Sequence, residues 1–182
     1  MNLYAFIYYK VLGWKATDTF PARRKCIICV APHTSNWDFI MGELYYRAIC
    51  RHAGFFMKKD WFFWPLGPIL RRMGGIPVQR DRKTSMTDAV AEVARRADDF
   101  VVAITPEGTR SRVSAWKRGF YYIALKANLP IQCYALDYKN KQIVGTLELQ
   151  PTGDVEADLR RIMDYFRPYE GKYPEKFCVE EL

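Results

Sequence analysis

Residues 86–97 carry Met86, Ala89, Val90, Val93, Ala94 and Ala97 at i, i+3, i+4, i+7, i+8 and i+11, the spacing of one helical face. Two short apolar runs, 76–79 and 100–105, bracket this stretch. A strand, a helix and a strand in that order make a crossover unit, whose strands lie parallel in one sheet. The alternation recurs along the chain. Runs suited to strands occupy 26–31, 55–58, 131–136 and 142–149, and helix-like runs occupy 38–52, 119–127 and 154–166. A helix broken by Pro65 and Pro68 is expected to end at Gly74. The runs at 131–136 and 142–149, joined at 139–141, read as antiparallel neighbours. The class expected is α/β: a single domain over 1–182, with a mixed, mostly parallel sheet flanked by helices.

A chain of 182 residues with 49% hydrophobic and 26% charged side chains has the composition of a globular domain. Its net charge of +8 points to an anionic partner: nucleic acid, a phosphate-bearing substrate or an anionic membrane surface. No RRM, zinc-finger or helix-turn-helix pattern supports nucleic acid. The five cysteines form no disulfide-like framework, which suits a reducing, cytosolic setting. Cys26 and Cys29 form a C-x-x-C inside an apolar run, without a second pair at zinc spacing, and read as strand residues; no metal is expected. Neither a signal peptide nor a run of about 18 apolar residues is evident. The aromatic start, with Tyr4, Tyr8, Tyr9 and Trp14, fits two readings for 1–15: an interfacial helix, or a first helix packed on the core.

The stretch A-P-H-T-S-N-W-D-F, 31–39, links a strand-like run to a helix-like run. Such turns are where α/β sheets place their ligands. His33 is one of two histidines, and Asp38 follows five residues later. A neutral imidazole is the usual base near pH 7, and a carboxylate on its far nitrogen fixes its tautomer. Asp38 equally suits a helix N-terminus, where the dipole favours an anion. No reactive Ser or Cys stands out as a third member, so a nucleophile would come from the substrate. P-E-G-T-R-S-R, 106–112, follows another strand directly. Gly108 allows a tight turn there, and Arg110 and Arg112 suit phosphate. Lys58, Lys59 and Arg80 stand near further strand ends. If those strands are neighbours, their cations share one edge with His33; otherwise they are scattered surface charge.

H-T-S-N-W-D, K-K-D-W-F-F-W-P-L-G-P-I-L-R-R-M-G-G-I-P-V-Q-R, P-E-G-T-R-S and W-K-R-G-F-Y-Y-I-A-L-K-A-N-L-P-I occur in that order. In order and spacing they resemble the 1-acyl-glycerol-3-phosphate acyltransferase family of glycerolipid acyltransferases, in its small bacterial size class. The resemblance covers about 26–136. It implies O-acyl transfer from acyl-CoA or acyl-carrier protein to a hydroxyl of a lysophospholipid or glycerol-phosphate acceptor. These donors are substrates, and no cofactor is implied. On this resemblance His33 matches the general base and Asp38 its orienting carboxylate. Lys59 and Arg80 match basic residues of the second motif. Glu107, Gly108, Thr109 and Arg110 match the E-G-T-R motif, which in the family holds the acceptor's phosphate and glycerol portion.

The chain departs from the family pattern in several places. Pro32 stands where Asn is common, Asp60 where Glu is usual, and Q-C-Y follows Pro130 in place of a second proline. The long N-terminal membrane segment of many members is missing. The expectation is a cytoplasmic enzyme, peripheral on the inner face of the cytoplasmic membrane, with an anionic membrane surface as partner. The alternatives are a non-catalytic basic module that binds phospholipid or, with less support, nucleic acid, and an acyltransferase acting on another lipid acceptor. The aromatic run Phe55, Phe56, Trp61, Phe62, Phe63 and Trp64 suits both an acyl groove and core packing. His52, beside Arg51 at a helix end, reads as a surface or capping residue.

Overall fold

The computed structural model describes residues 1–78 and 86–179. An α-helical turn, α1 (Leu3–Ala5), continues into a π-helical segment, Phe6–Val11. The strands are β1 (Lys15–Asp18), β2 (Lys25–Ala31), β3 (Gly54–Lys58), β4 (Gly75–Val78), β5 (Phe100–Ile104), β6 (Ile131–Asp137) and β7 (Gln142–Leu149). The helices after α1 are α2 (Asn36–Ala48), α3 (Leu66–Arg72), α4 (Met86–Arg96), α5 (Gly119–Ala127) and α6 (Val155–Phe166). The strands form one sheet in the order β1-β7-β6-β2-β5-β3-β4. β6, β2, β5, β3 and β4 are mutually parallel, and β7 runs antiparallel to β6 with β1 parallel to it. The mixed, mostly parallel α/β sheet is the one expected.

Alternation along β2 explains the two-sided core. Ile27, Cys29 and Ala31 point to one face, where they meet α5 and α6 through Phe120, Ala124, Ile162 and Phe166. Cys26 and Ile28 point to the other, against Met41, Tyr45 and Tyr46 of α2. A strand covered on both faces must be apolar throughout, which is how 26–31 reads. Cys26 and Cys29 therefore lie on opposite faces of the sheet, as strand residues.

Several boundaries and faces differ from the sequence reading. Ser35 caps α2, accepting the Trp37 N–H at 3.0 Å, so the helix begins before Asp38. It ends before 52, where Cys50 takes φ +57. On α4 the buried residues are Ala91 and Ala94, while Val93 is 60% exposed. The inward face is thus rotated from the expected stripe, because small alanines let α4 approach α5 closely. The Ser85 cap expected for this helix lies outside the described residues.

The first fifteen residues are not one helix. The helical segment closes at Val11, and Lys15 opens β1, an edge strand too short and polar to stand out in the sequence. Tyr8 and Trp14 are core residues packed near Tyr45, whereas Leu3, Phe6 and Val11 are exposed. No helix among the described residues is long and apolar enough to cross a membrane.

Candidate active site

Because β2, β5, β3 and β4 are parallel, their carboxyl ends share one edge of the sheet. β2 sits between β5 and β6. The chain leaves β2 toward β3 on one side, whereas β5 connects through α5 to β6 on the other. This is the switch point at which such sheets open a crevice. The stretch after β2 lies at its mouth. It begins with a cis Ala31–Pro32 peptide and ends at the Ser35 cap.

Nδ1 of His33 lies 3.2 Å from Oδ2 of Asp38. The N–H is not aligned for a well-formed hydrogen bond, so the approach is chiefly electrostatic. Nδ1 thereby faces the carboxylate, and Nε2 is the ring nitrogen that does not. The His33 side chain is 19% exposed and that of Asp38 only 2%.

Asp38 serves two purposes that the sequence reading weighed as alternatives. It is the third residue of a capping box, and it is the partner of His33. Its Oδ2 accepts the backbone N–H of Thr34 at 2.6 Å and of Ser35 at 2.7 Å. Its Oδ1 accepts the Ser35 hydroxyl at 3.2 Å and the Tyr138 hydroxyl at 2.8 Å. Burial pushes this carboxyl up, but the close approach of His33 and hydrogen bonds from Ser35, Tyr138 and Thr34 outweigh it and hold it below the usual carboxylate range. Asp38 is thus an anion at neutral pH.

Tyr138 follows β6 directly and was not singled out in the sequence. Burial, then the Asp38 charge, pushes its phenol well above the ordinary value, so it stays a donor. The only sequence signal for it was its place at the end of a strand.

The E-G-T-R turn follows β5, the other neighbour of β2. Gly108 takes φ +64, and its N–H bonds to the Thr105 carbonyl at 3.1 Å. A Cβ there would collide with the Lys117 side chain, which lies across the turn. Arg110 is exposed and donates from Nη1 to Oδ1 of Asn36, the first residue of α2. This contact brings the turn against the His33 stretch. Thr109 is exposed, and its hydroxyl accepts the Ser111 N–H at 3.4 Å. Glu107 differs from its neighbours: it is 4% exposed, and its Oε1 accepts the His33 backbone N–H at 2.8 Å. Burial pushes its carboxyl up to about 7, against the opposing effect of the His33 N–H.

The remaining sequence candidates divide. Lys59 is exposed in the turn after β3, on the same sheet edge as His33 but with β5 between β3 and β2. Arg80 lies outside the described residues. Phe55 is buried against Phe39, with ring centroids 4.7 Å apart, while Trp61, Phe63 and Trp64 are exposed. His52 is exposed after α2.

The segment after α6 closes the site from behind. The Tyr173 N–H bonds to Thr34 Oγ1 at 3.2 Å, and the Tyr138 N–H bonds to the Glu170 carbonyl at 2.9 Å. Gly171 passes so close to Thr34 that a Cβ would stand 2.8 Å from its hydroxyl. Lys172 lies over the Trp37 ring, 5.0 Å from its centroid. A separate cavity of about 520 Å³ opens at the opposite end of the sheet, among Arg23, Arg24, Arg51, Arg71 and Arg72. There α2 and α3 end, and basic side chains balance their dipoles.

The site thus sets a histidine against a buried carboxylate, beside a turn that carries an exposed arginine. The chain belongs to the Acyltransferase family, whose pattern it matches over residues 15–137. Its fold is also that of a crystallised protein, the 1-acyl-sn-glycerophosphate (LPA) acyltransferase PlsC from Thermotoga maritima. The two share 16% identity with a TM-score of 0.63, over 91% of this chain and 76% of that one. A search of curated proteins finds no match.

Proposed function

We propose that the chain transfers a fatty acyl group from acyl-CoA or acyl-carrier protein to a hydroxyl of a lysophospholipid or glycerol-phosphate acceptor. The observation that carries this is Nδ1 of His33 at 3.2 Å from the buried Asp38, with Arg110 drawn against the same stretch. Nε2 takes the proton from the acceptor hydroxyl as its oxygen attacks the thioester carbonyl. The tetrahedral intermediate collapses, the C–S bond breaks, and the imidazolium returns the proton to the departing thiolate. Asp38 stabilises the imidazolium between those steps. No acyl-enzyme forms, so no serine or cysteine is required.

Arg110, with Lys59 and Arg80, holds the acceptor phosphate. The exposed Leu3, Phe6 and Val11 beside α2, and Trp37 and Ile40 on α2 itself, seat the protein on a membrane. The charge of +8 favours an anionic one, which on this reading is the inner face of the cytoplasmic membrane. The likeness to the Thermotoga maritima PlsC supports the choice of acceptor class.

The test is thiol release from palmitoyl-CoA, and from a palmitoylated carrier protein, with a panel of lyso-acceptors. Wild type should show acceptor-dependent release, and His33→Ala should lower it by roughly 10²–10⁴-fold with the fold intact. Equal release by both proteins would remove His33 from the mechanism.

A further inference from the structure

Glu107 differs in setting from Thr109 and Arg110 of the same turn, which are exposed. It is buried behind the turn, its Oε1 engaged by the His33 N–H at 2.8 Å, while Oε2 is buried with no hydrogen-bond partner. Three successive amides of the His33 stretch end on carboxyl oxygens. The amide of residue 33 donates to Glu107, and those of 34 and 35 donate to Asp38. The two carboxyls come from different elements, the turn after β5 and the start of α2, and grip the stretch between them.

We infer that Glu107 is a positioning residue: it fixes the backbone of His33, and through it the imidazole against Asp38, without touching the acceptor. Its carbonyl oxygen suffices for this task, because only an acceptor for one N–H is needed. The same oxygen serves whether or not the carboxyl is ionised. A buried anion at this position would also oppose a phosphate held by Arg110. His33 and Asp38 are the charged or titratable groups of the site that bear on it, and Cys29 of β2 feels it from behind.

The kinetic consequence rests on the acyl-transfer reading, whereas the geometric one does not. The experiment therefore has two readouts, on Glu107→Ala and Glu107→Gln. The chain has two histidines, so the His33 ring and amide signals are separable by NMR from those of His52. Glu107→Ala should shift both His33 signals and speed exchange of its amide, and Glu107→Gln, which keeps a carbonyl oxygen, should restore them. In steady state Glu107→Ala should lower kcat on the order of 10²-fold, as expected when a reacting group is misplaced by about 1 Å. The acceptor KM should stay within about twofold, and Glu107→Gln should recover most of the lost kcat.

A raised acceptor KM in Glu107→Gln with kcat unchanged would make Glu107 an acceptor ligand and overturn the inference. So would His33 signals identical in wild type and Glu107→Ala. If Glu107→Ala does not fold, the isosteric Glu107→Gln alone decides, since a positioning role predicts kcat and acceptor KM near wild type and a ligand role predicts a raised acceptor KM. Wild type inactive with every donor and acceptor would sink the acyl-transfer reading, and the NMR comparison would still judge the role of Glu107.

Discussion

The Tyr138 hydroxyl, at the end of β6, donates to Oδ1 of Asp38 at 2.8 Å, across 100 residues of sequence. Oδ2 of the same carboxylate carries two backbone amides and faces His33. The anion that faces the imidazole is thus itself held from two directions, by the stretch before α2 and by the residue that follows the neighbouring strand. Tyr138→Phe removes one charge-assisted bond and nothing else of that size. It should cost about 1.5–3 kcal/mol in urea unfolding, the usual value of a hydrogen bond to a charged group. Turnover should fall on the order of tenfold with an unchanged acceptor KM, because the imidazole loses orientation while the acceptor contacts remain. Steady-state kinetics on the purified variant check this, and a KM effect alone would place Tyr138 against the substrate.

Arg110 reaches Asn36 from the far side of the E-G-T-R turn. Arg110→Ala should raise KM for a phosphate-bearing acceptor by roughly 10–10²-fold, which corresponds to one charge-assisted contact. A phosphate-free acceptor should show no such change. Equal KM values for both acceptors in wild type and variant would remove the phosphate from this residue.

Gly108 holds φ +64 with Lys117 lying where a Cβ would go. Gly108→Ala should destabilise the turn by about 1–2 kcal/mol from the left-handed backbone alone. It should also displace Arg110, so its kinetic signature should copy that of Arg110→Ala. A thermal melt together with acceptor titration separates the two effects.

The two carboxyls of the site should titrate stability in opposite directions. Glu107 is raised from 4.5 to about 7, so between those values the folded state holds a proton that the unfolded chain has lost. Its contribution to stability falls as pH rises through that window and is constant above it. Asp38 is lowered from 3.8, so its contribution is present above that value and is lost as pH falls below it. Urea midpoints measured across pH should show the slope between about 4.5 and 7 flattened in Glu107→Gln. An unchanged slope would mean that Glu107 titrates normally in the folded protein.

Much of the fold was readable because a sheet buried on both faces leaves near-continuous apolar runs. Such is 26–31, and the periodic α6 was equally plain: Leu159, Ile162, Met163 and Phe166 are all buried. β1 was not readable, since four edge residues, two exposed and two half-buried, carry no apolar run. Tyr8 and Trp14 were read by residue type, whereas their burial depends on α2 closing over them, a tertiary fact. The approach of His33 to Asp38 was readable because only five residues separate them, one before the Ser35 cap and one in the first turn of α2. Tyr138 and Asn36 were not, because what recruits them is sheet order, which places β6 and β5 on either side of β2. Glu107 was found by motif, but only its burial shows which way it faces.

The segment after α6 has a consequence for when the site is completed. Thr34 is synthesised well before Tyr173, yet its hydroxyl is engaged by the amide of that residue. Tyr138, which holds Asp38, is in turn tied to Glu170. On the ribosome, then, the sheet can assemble around a His33 stretch that is still open. The stretch closes only after residues 170–173 emerge, so its last tertiary contacts form well after the sheet around it can pair.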